Sequence, residues 1–345
     1  MKKILFITRN YPPIKGGMEQ YSYDLFHNLR KQAEANLIAN KKGKKHLPQF
    51  FIKVFFYLLF NARKYDNIHF GDGVLSPLAR FTKLISKAKV TITIHALDIT
   101  YPNKLYQSIV PKSVNKLDRV VCMSNYTMGE CVKRGVSRKK CIFITASIDL
   151  SKLKKSKLRI EDIEKKYNIS LKNKKILFSI GRLIKRKGNE WFVRNVMPKL
   201  NDDYVYIIAG NGKEKDNIKS AINDKKLSKK VIMLGKIPND EKFCLYENSD
   251  FFIMPNIKVK GDAEGFGITL IEAAAYGLPS LATGIEGITD AVINGKTGWL
   301  IKEKDTDGFI NKIKKGFPKE NIRKYAKRYS WEETIKKYCK EIFDC

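Results

Sequence analysis

The chain has 345 residues, 43% hydrophobic and 30% charged. That composition can bury a real core, which excludes a disordered tail, and at about 100–200 residues per domain it predicts two domains. Lysine and arginine number 67 against 35 acidic residues, a formal charge of +32. Unpaired buried cations are costly, so this excess belongs on the surface. It reflects either polyanionic partners (nucleic acid, an anionic bilayer, phosphorylated substrates) or simply a lysine-rich composition. The cysteines at 122, 131, 141, 244, 339 and 345 form no C-x-x-C pair and have no histidine at metal spacing. We expect neither a disulfide framework nor a zinc site, and a reducing cytoplasm as the setting.

The start, MKKILFITRN, has too short an apolar run for a secretory signal. Lys3–Thr8 reads as a buried strand, followed by the turn-rich RNYPPIKGG and a helix over Met18–Gln32. A basic-aromatic stretch comes next: Lys41, Lys42, Lys44 and Lys45, then Phe50, Phe51, Val54, Phe55, Tyr57, Leu58 and Phe60. Lys53 interrupts it, and it falls short of the ~20 residues that span a bilayer. It is either an amphipathic helix lying in an anionic bilayer surface or a core helix beside a solvated loop. Further strands are expected at Ala35–Ala39, Ile68–Phe70, Val90–Ile94, Val120–Met123 and Cys141–Ile144. The lysine-rich stretch Ser151–Lys175, with one short helix at Ile160–Tyr167, reads as an inter-domain connection.

A second series opens with KILFSI at Lys175–Ile180, echoing KILFIT at the start. It continues at Tyr204–Ala209, Val231–Leu234, Phe251–Met254 and Leu278–Ala282, and the chain closes on an amphipathic helix, Ser330–Phe343. Strands alternating with helical patterns in two halves predict an α/β protein of two Rossmann-like domains. Ligands of such sheets sit beyond the carboxyl ends of the strands, so the loops there hold the candidate chemistry.

The densest signal is Glu264-Gly265-Phe266-Gly267-Ile268-Thr269, continuing to Glu272. The glycines suit a tight loop, and the backbone N–H groups at the helix start from Ile268 suit a diphosphate. The two carboxylates suit different hydroxyls of one sugar nucleotide; an ordinary glycine loop is the competing reading. Arg182 and Lys187 follow the second half's first strand and suit phosphate oxygens, although KRK at 185–187 alone also fits a solvated turn. Gly16 and Gly17 allow close backbone approach to a phosphate, or make a plain turn after Pro12-Pro13. His95 ends an apolar strand, where a satisfied core histidine is the usual finding. Ser124 reads best as a helix N-cap.

Taken together, these pieces resemble retaining glycosyltransferase family 4, which has the GT-B fold. The string from Glu264 to Glu272 is similar to that family's E-x7-E region, and Gly16-Gly17-Met18-Glu19 to its glycine-rich donor loop. His95-Ala96-Leu97-Asp98 resembles H-G-x-D, and Gly181-Arg182-Leu183 with Lys187-Gly188 resembles G-R-L-x-x-x-K-G. Gly210-Asn211-Gly212 resembles G-x-G, and Ser330-Trp331-Glu332 the closing S-W-E. Two positions depart: the family glycine after His95 is Ala96, and Thr145-Ala146-Ser147-Ile148-Asp149 stands where P-N-G-V-D is usual.

The resemblance implies two facing domains. Residues 1–155 would form an acceptor-side domain, 170–328 a nucleotide-sugar-binding domain, and 329–345 a helix packing back on the first. It implies retaining transfer from a nucleoside diphosphate sugar to an acceptor hydroxyl on a glycan or lipid-linked glycan, with no cofactor and no metal. Arg182 and Lys187 would hold the diphosphate, Glu272 the ribose, Glu264 and His95 the transferred sugar. Asp98 would orient His95 or face the acceptor. Gly181, Gly210, Gly265, Phe266, Gly267, Ile268, Thr269 and the backbone at Ile237 would complete the donor pocket. Lys185 and Arg186 are left as surface charges. A GT-B epimerase or a non-catalytic sugar-nucleotide-binding protein is the alternative. Nucleic acid is not expected as a partner, because no zinc-finger, RRM or helix-turn-helix signature accompanies the charge. The setting implied is cytoplasmic, at the inner face of the cell membrane if the basic stretch meets lipid.

Overall fold

The computed structural model describes residues 2–345, in two compact units. Unit 1 comprises the chain up to Asp149, the short segment Gly261–Phe266 and the terminal segment Tyr329–Cys345. Unit 2 comprises Leu150–Lys260 and Gly267–Arg328.

Unit 1 is built on six parallel strands: β1 (Lys3–Thr8), β2 (Glu34–Ala39), β3 (Asn67–Phe70), β4 (Lys89–Ile94), β5 (Arg119–Cys122) and β6 (Cys141–Phe143). Their spatial order is β2-β1-β3-β4-β5-β6. β3 is buried at every position, and β1 and β4 at all but the first, the continuous apolar pattern of a parallel sheet covered on both faces. Val54, Leu58, Ile68, Ile92 and Val120 are among the fully buried side chains of this core. Ser124 caps the helix Asn125–Lys133, accepting a hydrogen bond from the Thr127 N–H at 3.0 Å, as its sequence position predicts. The loop that departs from P-N-G-V-D is buried against the terminal segment, with the Ser147 and Thr334 hydroxyls 2.5 Å apart.

Unit 2 has β7 (Lys175–Ile180), β8 (Tyr204–Ala209), β9 (Val231–Gly235), β10 (Phe251–Met254), β11 (Ser280–Thr283) and β12 (Gly298–Ile301), in the order β12-β11-β10-β7-β8-β9. Parallel pairs join every neighbour. Each sheet therefore has one place where successive connections turn in opposite directions, between β1 and β3 in unit 1 and between β7 and β10 in unit 2. The loops leaving those strands flank the crevice where ligands of open α/β sheets bind.

Two readings need correction, and a third is refined. The sequence reading lacks β12, and β11 begins two residues later than its expected start at Leu278. Strand β12 pairs with β11 through Gly298, where an added Cβ would sit 2.0 Å from the Ser280 carbonyl oxygen, so this edge strand starts on a glycine instead of an apolar residue. Second, Cys339 and Cys345 form a disulfide, where none was expected; four other cysteines are buried free thiols. The helix Trp331–Tyr338 continues as a π-helical turn over Cys339–Phe343, so helical structure reaches the expected Phe343, and the left-handed Asp344 then brings Cys345 back to Cys339. Third, the helix Leu47–Asn61 settles half of the basic-aromatic question. Phe50, Val54 and Leu58 belong to the core, while Ile52, Phe55, Phe56, Leu59 and Phe60 are exposed.

Candidate active site

In unit 2 the site grows from β7. After Ile180 the chain passes through Gly181 to Arg182 and Leu183, makes a tight turn over Lys185–Lys187, and enters the helix Asn189–Asn195. Gly188 has φ +65°, and a Cβ there would lie 1.9 Å from the Pro255 carbonyl oxygen, so the turn closes directly on the loop after β10. The Ile257 N–H donates to the Arg186 carbonyl at 2.9 Å and fixes that contact. This geometry turns the Arg186 side chain inward: it is buried, and the expectation of a surface charge there is wrong. Lys185 is exposed as expected.

Ser179, Gly181, Arg182, Lys187, Asn189 and Thr269 line one narrow cleft with Met254 at the β7–β10 switch point. Its floor is a buried polar chain. The Ser179 hydroxyl donates to the Ile253 carbonyl at 2.5 Å and meets the Tyr206 hydroxyl at 2.7 Å, and Tyr206 donates to Asn189 Oδ1 at 3.1 Å. Those bonds tie β7, β8 and β10 to the start of the next helix, so the cleft has a fixed base. Gly210 supports it from behind: a Cβ there would lie 1.8 Å from the Gly181 carbonyl oxygen, and one at Gly212 2.1 Å from the Leu183 carbonyl oxygen. These two glycines serve loop-to-loop packing.

The helix Ile268–Ala275 starts at Gly267, whose φ is +91°, and no side chain caps it. Its first turn, Ile268 and Thr269, thus presents unsatisfied N–H groups at an end of positive electrostatic potential. One turn on, Glu272 accepts from the Tyr246 hydroxyl at 3.1 Å and lies 3.4 Å from Lys242 Nζ. Burial, the first cause, together with this carboxylate pushes the Tyr246 hydroxyl well above its usual range, so it stays a donor. Ile237 is half-buried in the loop leading into Asn239–Asn248, the helix that carries Lys242 and Tyr246.

Unit 1 gathers the remaining residues. The helix Ala96–Thr100 begins after His95, and the Asp98 carboxylate accepts from the His95 N–H at 3.1 Å. Glu264, Gly265 and Phe266 belong to the short segment that packs in this unit. A Cβ on Gly265 would lie 3.9 Å from the Ala96 nitrogen, so the segment runs beside the His95 turn. Phe266 is buried edge-on to Tyr329, 5.8 Å between centroids. Gly16 precedes Gly17–Leu29; a Cβ on Gly16 would lie 2.2 Å from a carboxylate oxygen of Glu19, which folds back over its own helix start. The Tyr21 ring of that helix meets the His95 ring edge-on at 5.9 Å.

Two residues that sequence reasoning missed complete this cluster. Arg9, directly after β1, donates from Nε to Asp72 Oδ1 at 2.7 Å and lies 3.5 Å from Asp98 Oδ1. Asp72, two residues after β3, is fully buried. One guanidinium therefore serves two buried carboxylates. Burial pushes both Asp72 and Asp98 above the usual carboxylate range, with Arg9 pulling the other way. Burial lowers His95 to about 4, against the pull of Asp72 and the Gly71 carbonyl, so its imidazole is neutral at pH 7. Their signal was positional: both follow the strands that flank the unit 1 switch point.

Residues 160–333 match the family described as glycosyl transferases group 1. The chain is 25% identical over 339 residues to an Escherichia coli UDP-Gal:alpha-D-GlcNAc-diphosphoundecaprenol alpha-1,3-galactosyltransferase, covering 87% of this chain and 84% of that protein. It is 22% identical to a GDP-mannose-dependent alpha-(1-6)-phosphatidylinositol monomannoside mannosyltransferase of Mycobacterium tuberculosis, covering 89% of this chain and 87% of that one. Among solved structures, Anabaena HepE in complex with UDP superposes with a TM-score of 0.79 at 19% identity, over 99% of this chain and all of that one. Two doubly wound parallel sheets, each with helices between its strands, are the GT-B architecture of these neighbours. Since the family match spans half of the chain, the protein belongs to the group 1 glycosyl transferases and is a glycosyltransferase.

Proposed function

We propose that the enzyme is a retaining, metal-independent glycosyltransferase moving a hexose-type sugar from a UDP-sugar to a hydroxyl of a lipid-linked glycan in surface polysaccharide assembly. It would work as a peripheral protein at the inner membrane face. One observation carries this reading: two cations, Arg182 and Lys187, and an uncapped helix start at Thr269 converge on one cleft at a switch point. That combination suits a diphosphate. The E. coli relative is named for UDP-galactose and a diphosphoundecaprenol acceptor, which supports both the base and the lipid-linked acceptor. The mycobacterial relative is named for GDP-mannose, so the donor base is the first thing to test.

In this mechanism Glu272 holds the ribose hydroxyls, with Tyr246 and Lys242 fixing its carboxylate. Backbone at Ile237 meets the base, Gly16 and Gly17 approach the phosphates, and Glu264 and neutral His95 bind the transferred sugar. The acceptor hydroxyl forms the new bond to the anomeric carbon on the face from which the diphosphate leaves. Its proton passes to the departing phosphate oxygen. Arg182, Lys187 and the helix dipole stabilise the charge that develops there, and the rest of the rate comes from positioning. A panel of UDP- and GDP-sugars, read by free nucleotide released in excess EDTA, tests donor and metal independence together. Arg182→Ala and Glu272→Ala should each lower turnover by about 10²–10³ without unfolding the protein. Near-normal turnover in both variants would refute these roles.

A further inference from the structure

Helix Leu47–Asn61 of unit 1 is apolar on two sides. Its inner side enters the core, while Ile52 is 59%, Phe56 53% and Phe60 74% exposed on the other. A helix apolar all round is normally covered all round. The outer side continues onto the helix Ser76–Ile85, because Phe55 packs on Phe81 at 4.7 Å and Leu84 stands out at 80% exposure. The patch is therefore contiguous and held in place before any partner arrives.

Cations outnumber carboxylates around it: Asp118 pairs with Lys83 at 2.9 Å and Asp344 with Lys89 at 2.9 Å, and Asp66 lines the groove beside Leu84 and Lys87, which leaves the remaining cations in excess. Residues 35–117 hold twelve lysines and two arginines against three aspartates, 66, 72 and 98. Asp72 and Asp98 are buried against Arg9. Neither helix carries an acidic residue. Lys53, Arg80 and Lys87 on this face are exposed and pair with no carboxylate among the described residues, and the Arg63 guanidinium donates only to the Ile85 carbonyl.

We propose that this face docks on an anionic lipid bilayer, with Phe56, Phe60 and Leu84 entering the interface and Lys53, Arg80 and Lys87 on head-group phosphates. The inference rests on the lipid-linked acceptor reading only in choosing a bilayer as occupant; the face itself stands on exposure and charge. A second copy of the chain fits poorly, since an isologous contact would set these unpaired cations against one another. A bilayer of net negative charge supplies both the apolar volume and the phosphates.

Sedimentation of the full chain with equimolar phosphatidylglycerol–phosphatidylcholine vesicles, against pure phosphatidylcholine, tests it. Binding should be confined to the anionic vesicles and weaken with salt. Phe56→Ser/Phe60→Ser should weaken it about tenfold or more, and Lys53→Gln/Arg80→Gln/Lys87→Gln by about fivefold per cation with a flatter salt dependence. All five side chains are exposed, so circular dichroism and nucleotide release from the donor in solution should be unchanged in both variants. Failure to bind anionic vesicles, equal binding by the phenylalanine variant, or conversion of a dimer to a monomer by that variant each overturns the proposal. Preference for a soluble acceptor over a lipid-linked one overturns the acceptor reading alone and leaves the vesicle result standing.

Discussion

His69 on β3 has Nδ1 2.8 Å from the Thr91 hydroxyl and Nε2 2.9 Å from the Thr93 hydroxyl, in a fully buried setting. A neutral imidazole offers one donor and one acceptor, and two hydroxyls satisfy both, so burial can push the ring down to about 3. The consequence for stability has a definite sign. Between the unfolded value of 6.5 and about 3, the unfolded chain binds a proton here that the folded chain does not. Stability is therefore lost as pH falls through this window, by up to about 1.4 kcal/mol per pH unit. His95, lowered to about 4, acts in the same direction. Asp72 and Asp98, raised by burial, act in the opposite one, so the whole-protein profile mixes both. A variant isolates the single group. His69→Gln keeps one donor and one acceptor at similar volume. It should be less stable at pH 7 by about 1–3 kcal/mol. The gap should narrow steadily on acidification toward pH 4, measured by urea unfolding; a gap independent of pH would contradict this account.

At the scale of elements, the loop after β7 depends on the loop after β8. Gly210 has φ +129°, and the carbonyl its Cβ would strike belongs to Gly181, whose own N–H donates to the Ala209 carbonyl at 3.1 Å. Neither backbone can yield without disturbing the other. Gly210→Ala should cost about 2–5 kcal/mol and weaken donor binding by displacing Arg182. Gly129, inside the helix Asn125–Lys133 with nothing near its would-be Cβ, is the control: Gly129→Ala should be neutral or stabilise by up to about 1 kcal/mol. Chemical unfolding of the two variants side by side checks the contrast. This dependence also marks the limit of what sequence shows. Strands such as KILFIT and KILFSI are legible because parallel strands are apolar without interruption, and their succession implies the fold class. Strand β12 is not, because its first residue is a glycine required by its partner strand. Arg186 is misread because a run of like charges is normally solvated, whereas here a left-handed glycine two residues later folds the turn inward. The Arg9–Asp72 pair escapes because nothing local says that β1 and β3 are neighbours.

At the scale of the molecule, the chain passes between the units four times, at Asp149, Lys260, Phe266 and Arg328. The last passage returns Tyr329–Cys345 to a unit whose other strands were completed some 180 residues earlier, and it is anchored at several points. The Tyr338 hydroxyl lies 2.6 Å from the Tyr21 hydroxyl, Asn67 donates to the Phe343 carbonyl at 2.9 Å, and the Ile148 N–H donates to the Tyr329 carbonyl at 2.9 Å. Trp331, Tyr338, Ile342 and Phe343 are all buried. At about 1.5–3 kcal/mol for each such side chain, their burial is comparable with the whole 5–15 kcal/mol that keeps a domain folded. Unit 1 thus cannot be expected to fold from its first 149 residues alone, and the terminal segment is part of its core. Deleting residues 331–345 should abolish slow hydrogen exchange in β1, β3 and β4 while leaving β7 and β8 protected. The measurement is exchange read strand by strand. Equal loss of protection in both sheets, or protection of β1 preserved, would show that the returning segment does not hold unit 1 together.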